Sequence, residues 1–214
     1  PRVPITAKLV ANIIVAAGAN RVLTMDLHAN QVQGFFDIPV DHLYAINVLS
    51  EYFKEKQIKD LVVVSPDVGG IKMARAYAKR LNAALAIVDK RRMSPEKTEV
   101  MHILGDVKDK NVVMVDDIIA TAGSLIEAAA ALKHFGAKGI YAAASHGVLS
   151  GPAKERIAGC KELLEVVITN SIPLANPKEC PKIKQLSVAP LLAEAIARTH
   201  NEESISSLFE EIRN

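Results

Sequence analysis

The stretch from Val112 to Ser124, VVMVDDIIATAGS, constrains the fold of this chain more than any other. A short apolar run stops there at two adjacent carboxylates and gives way to a loop of small residues. Val112, Val113, Met114 and Val115 are continuously apolar rather than alternating, the pattern of a strand buried on both faces of a parallel sheet. Asp116 and Asp117 are expected at its carboxyl end. Thr121, Ala122, Gly123 and Ser124 then lead into LIEAAAALKHF, a helix-forming stretch with Ser124 and Glu127 at capping-box spacing and Gly136 as its stop. A strand, a small-residue loop and a helix amino end leave unpaired backbone N–H groups beside the positive end of the helix dipole, which suits a phosphate. Adjacent carboxylates suit sugar hydroxyls or a hydrated metal ion; a solvated acidic pair at an ordinary turn is the alternative.

The same strand-turn-helix unit recurs along the chain. Thr6 to Ala17 carries apolar residues at helical spacing and is closed by Gly18. Arg21 to Leu27 reads as a strand that delivers Asp26 and His28 to its end, before a loop holding Gly34, Phe35 and Phe36. On its own, His28 reads more readily as a hydrogen-bonded structural histidine than as a ligand. Pro39 and Asp41 read as connector, and Asn47 to Lys56 as an amphipathic helix. Leu61 to Val64 is a second strand, followed by the turn SPDVGG and a helix over 71–81. Asp67 marks that strand's end, and Gly69 and Gly70 let a bulky anion approach the backbone. Ala84 to Val88 is a further strand that runs into Asp89, Lys90, Arg91 and Arg92, then into the polar segment MSPEKTEV. A solvated charged turn is the plain reading of those cations, unless parallel strands bring them to the edge that carries the carboxylates. Gly139 to Ser145 and Glu165 to Thr169 are two more strands, 176–184 reads as a linker, and Leu191 to Arg198 as a closing helix. Ser204 to Phe209 is a last short turn or helix. Strands alternating with helices predict a doubly wound, mostly parallel α/β sheet with its site at the strands' carboxyl ends.

Other chemistry is excluded. No GxxxxGK[ST] or GxGxxG motif is present, zinc-ligand spacing is absent, and no Ser or Cys sits in a GxSxG-like elbow. The net charge of +2 comes from scattered Lys and Arg. With four Tyr, five Phe and no Trp, few platforms exist for stacking bases, so nucleic-acid binding has little support. Cys160 and Cys180 are the only thiols. With no apolar run long enough to span a membrane, they point to a reduced, cytoplasmic setting and no membrane partner.

VVMVDDIIATAGS resembles the phosphoribosyl-diphosphate binding motif of type I phosphoribosyltransferase folds. TMDLHANQVQGFFDIPVDHLY, VVVSPDVGG, DKRR and SHGVLSGPA narrow the likeness to the ribose-phosphate diphosphokinase, or phosphoribosyl pyrophosphate synthetase, family. The resemblance covers essentially the whole chain, with the motifs in order. It implies a phosphoribosyltransferase-like fold and transfer of the β,γ-diphosphoryl group of ATP to the 1-hydroxyl of ribose 5-phosphate. Asp116 and Asp117 are then expected on the ribose hydroxyls, and Thr121, Ala122, Gly123 and Ser124 around the 5-phosphate. His28 and Asp67 are expected on a Mg²⁺ ion, Gly69 and Gly70 at the ATP phosphates, and Lys90 and Arg92 on the transferring group. The family further implies a homo-oligomer, usually a hexamer, with phosphate and ADP acting at a regulatory site that resembles Gln33, Asp41, His42, Ser204, Ser206 and Phe209.

Two departures accompany the resemblance. Ala120 stands where many members carry Asp. Family chains also hold most of another domain ahead of the position of Pro1, which supplies adenine contacts. Residues 1–46 are accordingly expected as the remainder of an amino-terminal phosphoribosyltransferase-like domain. Residues 47–185 would form the carboxyl-terminal one carrying the ribose 5-phosphate site, and 186–214 a tail helix packing back on the amino-terminal part. A catalytically silent regulatory subunit of the same family and a salvage phosphoribosyltransferase are the alternative functions.

Overall fold

The computed structural model describes residues 5–91, 100–174, 176 and 179–208. Helix α1 (Thr6–Ala16) leads through Gly18, whose φ is 101°, into strand β1 (Val22–Met25). A 3-10 helix over Asn30–Phe35 follows, then strand β2 (Val40–Leu43), which pairs parallel to β1 in a small sheet of its own. Asp41 therefore lies in a strand, not in the connector that Pro39 implied. The pairing places Asp41 beside Leu23, where an edge strand four residues long sits below the reach of a periodicity argument.

The principal sheet is built from β3 (Leu61–Ser65), β4 (Ala84–Arg91), β5 (Val100–Leu104), β6 (Asn111–Ile119), β7 (Gly139–Gly147), β8 (Leu163–Thr169) and β9 (Ile183–Leu186). Its order is β5-β4-β3-β6-β7-β8-β9, and every pairing is parallel except the antiparallel β4–β5 edge. The chain builds outward from β3 to one side and then returns to lay β6 on the other. The switch in winding direction therefore falls between β3 and β6, where α/β sheets of this kind open a crevice at their carboxyl edge.

Both faces of the sheet are covered, which explains the continuous apolar runs. Val112 and Met114 face a core shared with Ala128, Ala129 and Leu132 of α4 (Gly123–His134) and Ile157 of α5 (Ala153–Gly159). Their neighbours Val113 and Val115 face the opposite core, with Leu49 and Phe53 of α2 (Ile46–Glu55) and Ala74 and Tyr77 of α3 (Ile71–Leu81). Leu192 of α6 (Ala189–His200) packs on that second core. Among the described residues, no helix is long and apolar enough to cross a membrane.

Several boundaries differ from expectation. Strand β6 does not stop at Val115: it continues to Ile119, and Asp116 pairs with Ala144, because the small residues of β7 extend the ladder alongside it. The capping box is absent. Ala122 is the residue before α4, with no side-chain cap bond, and Ser124 is already the helix's second residue. Strand β4 runs through Lys90 and Arg91, paired with β5, so Val100 belongs to a strand rather than to the polar segment; residues 92–99 lie outside the described set. The linker ends early, since Ile183 and Lys184 pair with Val166 and Val167 as strand β9.

Candidate functional site

The carboxyl ends of β3 and β6 and the segment after β1 converge on one crevice. A cleft of about 340 Å³ is lined by His28, Asp67, Asp116, Asp117 and the turn from Ala120 to Ser124. A neighbouring one of about 460 Å³ shares the first four of these and adds Gly69 and Gly70. Residues from three separate stretches of sequence thus meet where the switch in winding direction places a site.

Asp117 is buried, and its Oδ2 lies 2.6 Å from Nδ1 of His28. That contact, reinforced by the charges of Asp117, Asp116 and Asp67, raises the His28 pKa above its ordinary value. When His28 is neutral, a proton on Nδ1 shared with the carboxylate leaves the lone pair on Nε2, the arrangement that orients a metal-binding imidazole. Asp117 Oδ1 is buried and has no hydrogen-bond donor among the described residues. Asp116 accepts the N–H of Asp117 at 2.9 Å. Burial, followed by its contact with the carboxyl of Asp117, pushes the Asp116 pKa up to about 7. Asp116 is therefore partly protonated near neutrality, and a cation bound beside it would favour loss of that proton to water.

Asp67 accepts the N–H of Gly70 at 2.9 Å, and the buried Ser65 hydroxyl donates to the Asp67 carbonyl at 2.6 Å. These bonds fix the turn into α3 and hold the carboxylate at the mouth of both clefts. A Cβ on Gly70 would fall 2.8 Å from Ser65 Oγ, so that glycine is required by the turn itself and not only by an approaching anion. Ala122 adopts a left-handed φ of 59° just before α4. Arg156, on α5, donates from Nη1 to the Thr121 carbonyl at 2.9 Å.

Two features here have no role in the sequence reading, which places Asp26 at a strand's end without a function and does not name Arg156. Asp26, left-handed and buried, accepts the N–H of Ala45 at 2.8 Å and the Ser145 hydroxyl, tying the end of β1 to α2 and β7. Its place two residues before His28 was the available signal. Arg156 carried none, because it is one exposed cation on a short helix.

The other expected residues are placed as follows. Lys90 lies near the carboxyl end of β4, which runs parallel to β3, while Arg92 falls outside the described residues. Gln33 contacts His42 at 3.0 Å, His42 Nε2 accepts the Leu27 N–H at 2.9 Å, and Asp41 pairs with Arg21 at 2.5 Å. Ser204 and Ser206 share a short turn, with the Ser206 N–H 3.2 Å from Ser204 Oγ, and Phe209 lies outside the described residues. No hydrogen bond joins this turn to Gln33, Asp41 or His42 among the described residues. No cluster of three or more metal-binding side chains occurs among them either.

Residues 90–210 match the family described as phosphoribosyl synthetase-associated domain. The chain is 56% identical over 209 residues to a ribose-phosphate pyrophosphokinase of Bacillus caldolyticus, covering 98% of this chain and 66% of that relative. It is 56% identical over 209 residues to the enzyme of that name from Campylobacter jejuni, with 98% and 67% covered. Among solved structures, phosphoribosylpyrophosphate synthetase from Mycobacterium smegmatis superposes with a TM-score of 0.86 at 41% identity, over 94% of this chain and 66% of that one. The chain spans about two thirds of the length of these relatives.

Proposed function

Because the chain belongs to the ribose-phosphate pyrophosphokinase family, we propose that it carries the ribose 5-phosphate site of a diphosphotransferase. The reaction moves the diphosphoryl group of ATP to the sugar's 1-hydroxyl and releases AMP. The observation that carries this reading is the convergence of His28, Asp67, Asp116 and Asp117 with the small-residue turn 120–124 around one crevice. Asp116 and Asp117 accept the ribose hydroxyls, and the backbone of Thr121, Ala122, Gly123 and Ser124 receives the 5-phosphate at the amino end of α4. Transfer of this kind relies on positioning and on cancelling negative charge rather than on a protein nucleophile. Lys90 and Arg92 are assigned to that cancellation, and Gly69 and Gly70 to the ATP phosphates.

His28 and Asp67 would hold Mg²⁺. An exposed carboxylate and an oriented imidazole are two protein ligands, which fits an ion that takes its other ligands from phosphates and water. The ion's contribution would be charge neutralisation on the phosphates. What this chain's residues do is orient: Asp117 sets the His28 ring, and the Gly70 N–H sets Asp67.

We assign residues 1–46 to the remainder of an amino-terminal domain, consistent with a separate β1–β2 sheet, 47–185 to the ribose 5-phosphate domain, and 186–214 to a returning tail. A cytoplasmic homohexamer regulated by phosphate and ADP, through Gln33, Asp41, His42, Ser204, Ser206 and Phe209, completes the proposal. Incubation of the purified chain with Mg-ATP and ribose 5-phosphate tests it: AMP should appear in step with phosphoribosyl diphosphate. Absence of both products, together with absence of ribose 5-phosphate binding, would refute the reading.

A further inference from the structure

The turn after β6 is held from one side by three consecutive bonds. The Leu149 N–H donates to the Ile119 carbonyl at 3.0 Å, the Ser150 N–H to that of Ala120 at 2.9 Å, and Arg156 Nη1 to that of Thr121 at 2.9 Å. All three donors belong to the connector between β7 and α5 or to α5 itself. The described chain contains no cis peptide bond. In a trans peptide the carbonyl and the following N–H point in opposite directions. The N–H groups of Ala120, Thr121 and Ala122 therefore turn away from the connector, on the side of the cleft these residues line. Carbonyl oxygens, which would repel an anion, are withdrawn from it in the same movement.

The third bond differs from the first two. Two are made by backbone and survive any change of side chain, whereas the third depends on a single guanidinium. It acts on the peptide that precedes Ala122, whose left-handed φ of 59° costs a residue with a Cβ on the order of 1 kcal/mol. A backbone held in a sparsely populated region persists only where its surroundings over-determine it. Arg156 is exposed and makes no other side-chain hydrogen bond among the described residues, so burial gives it no separate reason to stand there. The missing side chain of Gly123 also faces it, with a Cβ position 3.5 Å from Nη1, so the guanidinium lies along the outer side of the turn.

We propose that Arg156 is a positioning residue for the anion turn, holding the Thr121–Ala122 peptide so that the Ala122 N–H faces the phosphate of the sugar-phosphate substrate. The inference rests on the reading of this turn as the 5-phosphate site. It does not require Arg156 to touch the ligand.

Calorimetric titration of ribose 5-phosphate into the wild-type chain and into Arg156→Met tests it, with thermal unfolding of both followed in parallel. The variant should bind at least about tenfold more weakly, a step of roughly 1.4 kcal/mol. Millimolar guanidinium should recover much of that loss in the variant and change nothing in wild type, a rescue that a purely structural defect in α5 does not show. Binding within about twofold of wild type overturns the assignment. So does a loss that guanidinium leaves untouched, which would place Arg156 in the packing of α5 alone. Failure of the wild-type chain to bind ribose 5-phosphate is a separate result, visible before any substitution, and it removes the substrate reading together with this one.

Discussion

His28 Nδ1 and Asp117 Oδ2 stand 2.6 Å apart although 89 residues separate them in the chain. The contact joins the segment between the two strands of the small sheet to the central strand of the large one. Asp117 is the main cause of the raised His28 pKa, first through the hydrogen bond and then through its charge. In Asp117→Asn the midpoint should fall back toward the ordinary 6.5, read from the ring-proton resonances of His28 in an NMR titration. A group whose folded pKa is raised stabilises fully below its unfolded value and loses that contribution as pH rises through the folded midpoint. The wild-type advantage over Asp117→Asn from this pair should therefore shrink between mildly acidic and mildly alkaline pH. Because the His28 side chain is 83% exposed, the effect should be small and should weaken with salt. An unmoved His28 midpoint would show that the two groups do not interact in solution.

Glycines at the two phosphate-facing turns should respond oppositely to alanine. At Gly70 a Cβ would lie 2.8 Å from Ser65 Oγ, a buried hydroxyl already committed to the Asp67 carbonyl. Gly70→Ala should cost about 1–3 kcal/mol, the range of forced overpacking. At Gly123 the nearest atoms are 3.5 and 3.7 Å away, ordinary contact, and the residue opens α4. Gly123→Ala should be neutral or stabilising by up to about 1 kcal/mol, since alanine is the better helix former. Denaturant midpoints of the two variants decide the matter, and equal losses at both sites would contradict the geometry.

The contrast between these glycines shows what the sequence could reveal. Val112 to Val115 announced a strand buried on two faces, and the two cores that receive its alternate residues bear that out. The winding of the sheet followed from alternating strands and helices, whereas the switch between β3 and β6 is a matter of strand order that only the fold reveals. Less legible were features that depend on what a residue meets in space. The extension of β6 through Asp116 and Asp117 depends on the small side chains of β7 beside it. The short edge strands β2 and β9 carry too few residues to show a period, and the pairing of β5 with β4 is a long-range event. Arg156 reaches the turn across 35 residues of chain, a distance that no local pattern encodes.

Lys90, near the end of β4, and Arg92 should act on rate rather than on sugar affinity. In the proposed reaction they meet charge that develops on the transferring group, so their contribution belongs to the transition state. Lys90→Ala or Arg92→Ala should lower kcat by about 10³-fold, the low end for a transition-state arginine, with little change in the KM for ribose 5-phosphate. Steady-state kinetics with the sugar phosphate varied at saturating Mg-ATP provides the check. A loss smaller than about tenfold would remove these side chains from the mechanism.

Asp116 couples stability and function in opposite directions. Burial and its contact with Asp117 push its pKa from the ordinary 3.8 up to about 7, so between these values the folded chain keeps a proton that the unfolded chain has released. Folding stability therefore declines as pH rises across that interval and levels off above it. Asp116→Asn removes the ionisable group from both states, so the variant should gain on wild type from about pH 4.5 to about pH 7.5. A tenfold difference in proton affinity between the folded and unfolded chain corresponds to about 1.4 kcal/mol before solvent screening is discounted. A net gain on the order of 1 kcal/mol would raise the unfolding temperature of a chain this size by about 2–4 °C. The same substitution should weaken ribose 5-phosphate binding, because a neutral amide replaces an acceptor for the sugar hydroxyls. Thermal scans at the two pH values, paired with calorimetric titration, test both halves. A melting difference that does not change with pH would mean that the proton is not held in the folded pair. A stabilised variant with undiminished affinity would mean that the proton is held there but that Asp116 does not contact the sugar.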